Sequence, residues 1–85
     1  MASEQNMKPE QYYAIHQMAF RTAFDFLTQH FPPGQNSDWW EKTANDAGKA
    51  YLAAGEETLT FELLHGVIEY LEKEWKRRYP NGADN

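Results

Sequence analysis

The stretch HFPPGQNSDWW, residues 30–40, decides how this chain folds. Before it, apolar residues recur at helical spacing. Within it, Phe31-Pro32-Pro33-Gly34 cannot continue a helix: proline has no N–H to donate and disfavours helical geometry in the residue before it. A polar corner follows, and two adjacent tryptophans, Trp39 and Trp40, open a second periodic run. Reading outward from this break gives three helical segments and no alternation of strand type.

The first helix is predicted from Pro9 to about His30. Pro9 suits a first turn, where its missing N–H costs nothing, and Glu10 favours the helix dipole. Its apolar stripe is expected on Tyr13, His16, Phe20, Ala23, Phe24, Leu27 and Phe31. Tyr12, Ile15, Ala19 and Phe26 widen that stripe on one side, so nearly half the circumference is expected to be buried. The second helix is predicted from near Asp38, where Asp38 and Glu41 approximate a capping box and Ser37 competes as the cap. Its stripe is Trp40, Thr43, Ala44, Ala47, Ala50, Tyr51 and Ala54, and Gly55 is placed to end it. The third helix is predicted from Thr58 to about Tyr79, before Pro80-Asn81-Gly82. Its stripe is Leu63, Leu64, Val67, Ile68, Leu71 and Trp75, flanked by Phe61 and Tyr79. Glu74 and Arg78 fall inside that arc, so the last turn is expected to run past the core. Short links between helices call for antiparallel neighbours. The expected fold is all-α, a compact three-helix bundle: one domain over residues 8–80, with flexible tails over 1–7 and 81–85.

Composition narrows the function classes. The chain has 85 residues, of which 41% are hydrophobic and 15% aromatic, and a net charge of −5. A chain of this length forms one domain and buries roughly 60 to 65% of its unfolded surface, so its stability margin is thin. The absence of cysteine rules out a disulfide framework, a thiolate nucleophile and a cysteine-ligated zinc. No apolar run resembles a secretory signal or approaches the roughly 18 residues of a membrane span, so a cytoplasmic location and no membrane partner are expected. The acidic balance disfavours nucleic acid as a partner.

Residues with chemical potential are few. Glu62-x-x-His65 has the spacing that carboxylate bundles use to bring two ligands to one metal. Such sites need two motifs and two further carboxylates. Here there is one, expected to face away from the leucine stripe, so no metal and no cofactor is assigned. His16 is expected to be a hydrogen-bonded core histidine. Ser37 serves better as a cap than as a nucleophile, and no catalytic residue is assigned. Gly48 and Gly66 sit inside helices, at about 1 kcal/mol each against alanine, and are expected to mark close helix approach. Lys73, Lys76, Arg77 and Arg78 suit the third helix's C-terminal dipole. Trp40 is expected in the core. Trp39 is expected at the stripe edge, either as a lid over Pro32 and Pro33 or as a binding anchor, and Leu52 lies on the opposite, outward face of the second helix.

Three segments carry a resemblance: EQYYAIHQMAFRTAFDFL (10–27), DWWEKTA (38–44) and FELLHGVIEYLE (61–72). Together they are similar to a recurring type of small helical protein encoded in bacterial prophages and related mobile elements. The resemblance implies a shared helical fold and carries no reaction and no functional residue. The function expected is that of a non-enzymatic interaction module, with an unidentified protein or a second copy as partner and a contact built from Trp39, Pro32, Pro33 and Leu52. Two other classes compete with it. One is a DNA-associated regulator using the basic end of the third helix. The other is a metal-dependent enzyme assembled by oligomerisation around Glu62 and His65.

Overall fold

Three helices account for most of the chain: α1 (Pro9–His30), α2 (Ser37–Ala53) and α3 (Thr58–Arg78). The computed structural model describes residues 8–80. The expected tails over 1–7 and 81–85 lie outside the described residues.

Local chemistry sets each boundary. At the start of α1 the Gln11 side chain accepts a hydrogen bond from the Lys8 backbone N–H at 2.6 Å, which satisfies one of the orphan donors of a helix start. The cap of α2 is Asn36, ahead of both Ser37 and Asp38. Its side-chain oxygen accepts from the Trp39 N–H at 3.0 Å, and asparagine is as good a cap as either alternative. After Ala53 the chain turns through two left-handed residues, Gly55 (φ 90°) and Glu56 (φ 59°). The Glu56 N–H reaches back to the Tyr51 carbonyl at 3.0 Å, the long backbond that closes a helix with a left-handed cap.

The three helices pack pairwise into a bundle, and the most extensive contact joins α1 to α3. These two run parallel, with α2 antiparallel to both. Trp40 near the start of α2 meets Trp75 near the end of α3 (6.3 Å), Tyr51 near the end of α2 meets Phe61 near the start of α3 (5.7 Å), and Phe31 just past α1 meets Tyr70 (6.1 Å). The Phe31–Tyr70 contact sets the register, so nearly the first three turns of α1 extend beyond the start of α3. This offset draws the fold out to 53 × 19 × 19 Å.

The core is small. Its buried apolar side chains are Ala19, Ala23, Phe26, Leu64 and Leu71, with Thr43, Thr60 and His30 buried beside them. Leu63, Val67, Ile68 and Trp75 are half-buried, so α3 presents the expected stripe. The α2 stripe also holds, except that Ala44 is exposed. Glu74, inside the α3 arc, is bonded by Arg77 at 2.8 Å.

α1 is rotated from its expected orientation. The line Ala19, Ala23, Phe26, His30 faces inward, whereas Tyr13, Phe20, Phe24 and Phe31 are exposed. Its apolar residues span so wide an arc that two different faces could have been the buried one. Ala19 and Phe26, taken as the flank of the stripe, are buried together with Ala23 from the stripe itself, whereas Tyr12 and Ile15 are half-buried. The glycines are a second correction. A Cβ added at Gly48 or at Gly66 meets nothing within 4 Å, so neither marks a close approach between helices of this chain.

Candidate functional site

The rotation of α1 leaves an aromatic face uncovered. Tyr13, Phe20, Phe24, Leu27 and Phe31 follow one another at steps of three, four and seven residues, a seam along one side of the helix. On α3 the matching outward line is Leu59, Leu63, Gly66 and Tyr70. The two lines lie side by side, because the Phe31–Tyr70 contact puts Phe24 level with Leu63 and Leu27 level with Gly66. Leu27, Thr28, Phe31 and Tyr70 line a shallow depression at one end. There the Arg78 guanidinium stands 5.1 Å from the centre of the Phe31 ring, a cation–π contact that tethers the ring without covering it.

Exposure along this face is large. Tyr13, Phe20, Phe24, Phe31 and Tyr70 leave 69, 59, 62, 38 and 44% of their surface open. At roughly 200 Å² per aromatic residue, these five expose on the order of 500 Å². Isolated exposed apolar residues are ordinary, but a contiguous patch of several hundred Å² marks a surface that meets something else.

The tryptophan corner is more closed. Trp39 and Trp40 are both half-buried, packed edge to face with ring centres 4.7 Å apart. Trp39 lies directly over Gly34, where an added Cβ would collide with its ring carbons and its own Cβ. It also meets the His30 ring at 6.5 Å. Pro33 is buried and Pro32 exposed. Leu52 is exposed on the far side of α2 and lies apart from this corner along the helix.

A partly buried polar cluster joins α1 to α2. His30 Nδ1 bonds the Phe26 carbonyl at 2.8 Å, and Nε2 bonds Asp46 Oδ2 at 2.9 Å. Lys42 donates to the same Asp46 oxygen at 2.7 Å. Hydrogen bonds from Lys42 first, then from His30, hold the Asp46 carboxyl at about 2, below its ordinary 3.8. Both ring nitrogens of His30 are engaged, one by its own helix and one by α2, and the cluster works as a clamp between helices. Sequence reasoning placed His30 only as a helix terminus. Its position four residues after Phe26 was readable, but Asp46 was not.

The remaining candidates are dispersed. His16 is exposed and stacks on Tyr12 at 5.8 Å, which corrects its expected core position: the α1 rotation carries it outward. Glu62 and His65 are exposed, and His65 approaches Glu69 at 3.8 Å. Among the described residues, no three His, Cys, Asp or Glu side chains gather as a metal site would require. Part of the basic end of α3 is used within the chain, because Glu74 pairs with both Arg77 and Arg78. No helix of the described residues is long and apolar enough to cross a membrane.

The chain matches no protein-family model, no curated protein and no solved structure.

Proposed function

We propose that this protein is a non-enzymatic protein–protein interaction module that works through the aromatic face of α1 and α3. One observation carries the reading: five aromatic side chains, open to between 38 and 69% of their surface, lie on one face of a domain whose own core contains a single buried aromatic, Phe26. Leaving such rings in water forgoes about 25 cal/mol per Å². A chain with so thin a core gains more by turning them inward, unless the face has an occupant. The Trp39 corner offers less free area, since its ring already packs on Gly34 and His30. We place the module in the cytoplasm, in the mobile-element context that its resemblance implies.

The test is Phe24→Glu. Phe24 is 62% exposed, so the substitution leaves the core of the single chain intact while placing a charge at the middle of the face. Association of the wild-type chain, with itself or with a protein captured from the native host, should be lost in Phe24→Glu while far-UV circular dichroism stays helical. Leu52→Glu, on the outer surface of α2, should retain it. Full association by Phe24→Glu refutes the reading.

A further inference from the structure

The aromatic face has a direction, and that direction selects its occupant. Because α1 and α3 are parallel, both seams run the same way. At one end stand Glu10 in the first turn of α1 and Glu56 ahead of α3. At the other end the α3 seam continues, at the same spacing, into Lys73 and then Arg77, whose charge is paired with Glu74 of its own chain. We propose that the face is covered by a second copy of this chain, packed antiparallel about a two-fold axis. This rests on the interaction reading above and names its partner.

Charge argues for the antiparallel sense. A two-fold axis that reverses helix direction sets the acidic end of one copy against Lys73 of the other, in both halves of the contact. A parallel pair sets like against like. The same reversal opposes the macrodipoles of the four central helices. The net charge of −5 on each copy repels over longer distances. That repulsion is screened beyond about 8 Å at physiological salt, whereas contacts at the rim lie inside that range.

Area argues for a second copy. With roughly 500 Å² of exposed aromatic surface on each chain, two chains contribute on the order of 1,000 Å², and the half-buried Leu59 and Leu63 add to it. Stable specific interfaces bury about 1,200 to 2,000 Å² in total. An isologous contact reaches that class by using one face twice.

Gly66 is the independent observation. It is an exposed glycine inside α3, and its own chain leaves it open, with nothing within 4 Å of an added Cβ. It lies in the outward seam between Leu63 and Tyr70, level with Leu27. A side chain missing at that point lets a helix of the other copy approach closely, and a partner there gives a reason for a glycine that packing within the chain does not supply.

Sedimentation equilibrium of the full chain at about 100 μM, where a dimer with a Kd of about 10 μM or tighter is mostly formed, should return twice the 9.9 kDa chain mass. Gly66→Leu should raise the dissociation constant about tenfold or more through overpacking at the contact. Gly48→Leu, equally open but on α2, should leave it nearly unchanged. Since the chain has no cysteine, geometry can be read by oxidation. Phe24→Cys, near the middle of the α1 seam, should give a disulfide-linked pair, and Leu52→Cys should not. This holds as a test even where a charged variant fails to fold. A single-chain mass at that concentration, or preferential cross-linking through Leu52→Cys, overturns the proposal. A single-chain mass together with capture of another protein that Phe24→Glu abolishes overturns the second copy and leaves the interaction reading standing. With neither association nor capture, both fall.

Discussion

Replacing Phe26 and Phe24 separately by alanine tests the orientation of α1, from which every functional statement here follows. The two residues are neighbours on one helix and chemically identical, yet Phe26 is 4% exposed and Phe24 62%. Phe26 stacks on the His30 ring at 4.1 Å and, among the described residues, is the only aromatic side chain in the buried apolar core. Removing it forfeits roughly 200 Å² of buried apolar area at about 25 cal/mol per Å², an upper bound near 5 kcal/mol. Core phenylalanine deletions cost about 3 to 5 kcal/mol. For a domain of this size that shifts Tm downward by at least about 12 °C, and it consumes much of a stability that is itself only about 5 to 10 kcal/mol. Within the single chain, Phe24→Ala should change stability by less than about 1 kcal/mol. Urea and thermal unfolding followed by far-UV circular dichroism read both, at two protein concentrations, so that any contribution from association appears as concentration dependence. Equal losses in the two variants at low concentration, or a larger loss in Phe24→Ala, would refute the orientation of α1 and the uncovered face with it.

Three further outcomes follow from particular contacts. Gly34→Ala should destabilise by about 1 to 3 kcal/mol, because the added methyl displaces Trp39, and tryptophan emission should shift to the red; unchanged emission would contradict the packing of Trp39 on the corner. Gly48→Ala should stabilise by about 0.5 to 1 kcal/mol, since the site is open and helical, and a fall in Tm would show that the space is occupied. The Asp46 carboxyl has a folded value of about 2 against an ordinary 3.8. Its contribution to stability is therefore fully present above about pH 4 and is lost as pH falls toward 2. Asp46→Asn should flatten that part of the acid unfolding profile, and parallel profiles for variant and wild type would exclude the clamp.

Helix boundaries were legible because they depend on local chemistry. Pro9, Phe31-Pro32-Pro33-Gly34, Gly55 and Pro80 punctuate the chain by backbone geometry alone, and all three helices begin and end within a residue or two of the expected places. The cap of α2 moved to Asn36 because Asn, Ser and Asp compete on nearly equal terms. Faces were legible only where the apolar arc was narrow. On α3 the arc admits one orientation, and Leu64 and Leu71 are buried as expected. On α1 the arc covers about half the helix. Periodicity then shows that both halves are apolar but not which one faces α3, and His16 was misplaced together with the stripe. The His30–Asp46 bond and the Gly34–Trp39 contact join residues whose proximity exists only after folding. Gly34 was readable as a stop signal, but not as the seat of a ring. Gly66 misled for a related reason: a glycine inside a helix reads as a close approach, and no helix of this chain makes that approach.

The small core and the open face have a joint consequence. Among the described residues, a core of Ala19, Ala23, Phe26, Leu64 and Leu71 gives the single chain little to set against its conformational entropy. A partner that binds only the folded chain adds RT ln(1 + [L]/Kd), about 2.7 kcal/mol at a hundredfold excess over Kd. At about 4 to 8 °C per kcal/mol, that moves Tm by roughly 10 to 20 °C. For a second copy the ligand is the chain itself, so Tm should climb steadily as protein concentration is raised from well below Kd to well above it. Phe24→Glu should melt at one temperature across the same range, near the dilute limit of the wild type, because it lacks the contact and keeps the core. The comparison separates association from core stability: a poorly packed core lowers both curves equally, whereas a covered face tilts only the wild-type one. A wild-type Tm independent of concentration over that range would leave the aromatic rings in water with nothing to repay their exposure, and the second copy would have to be given up.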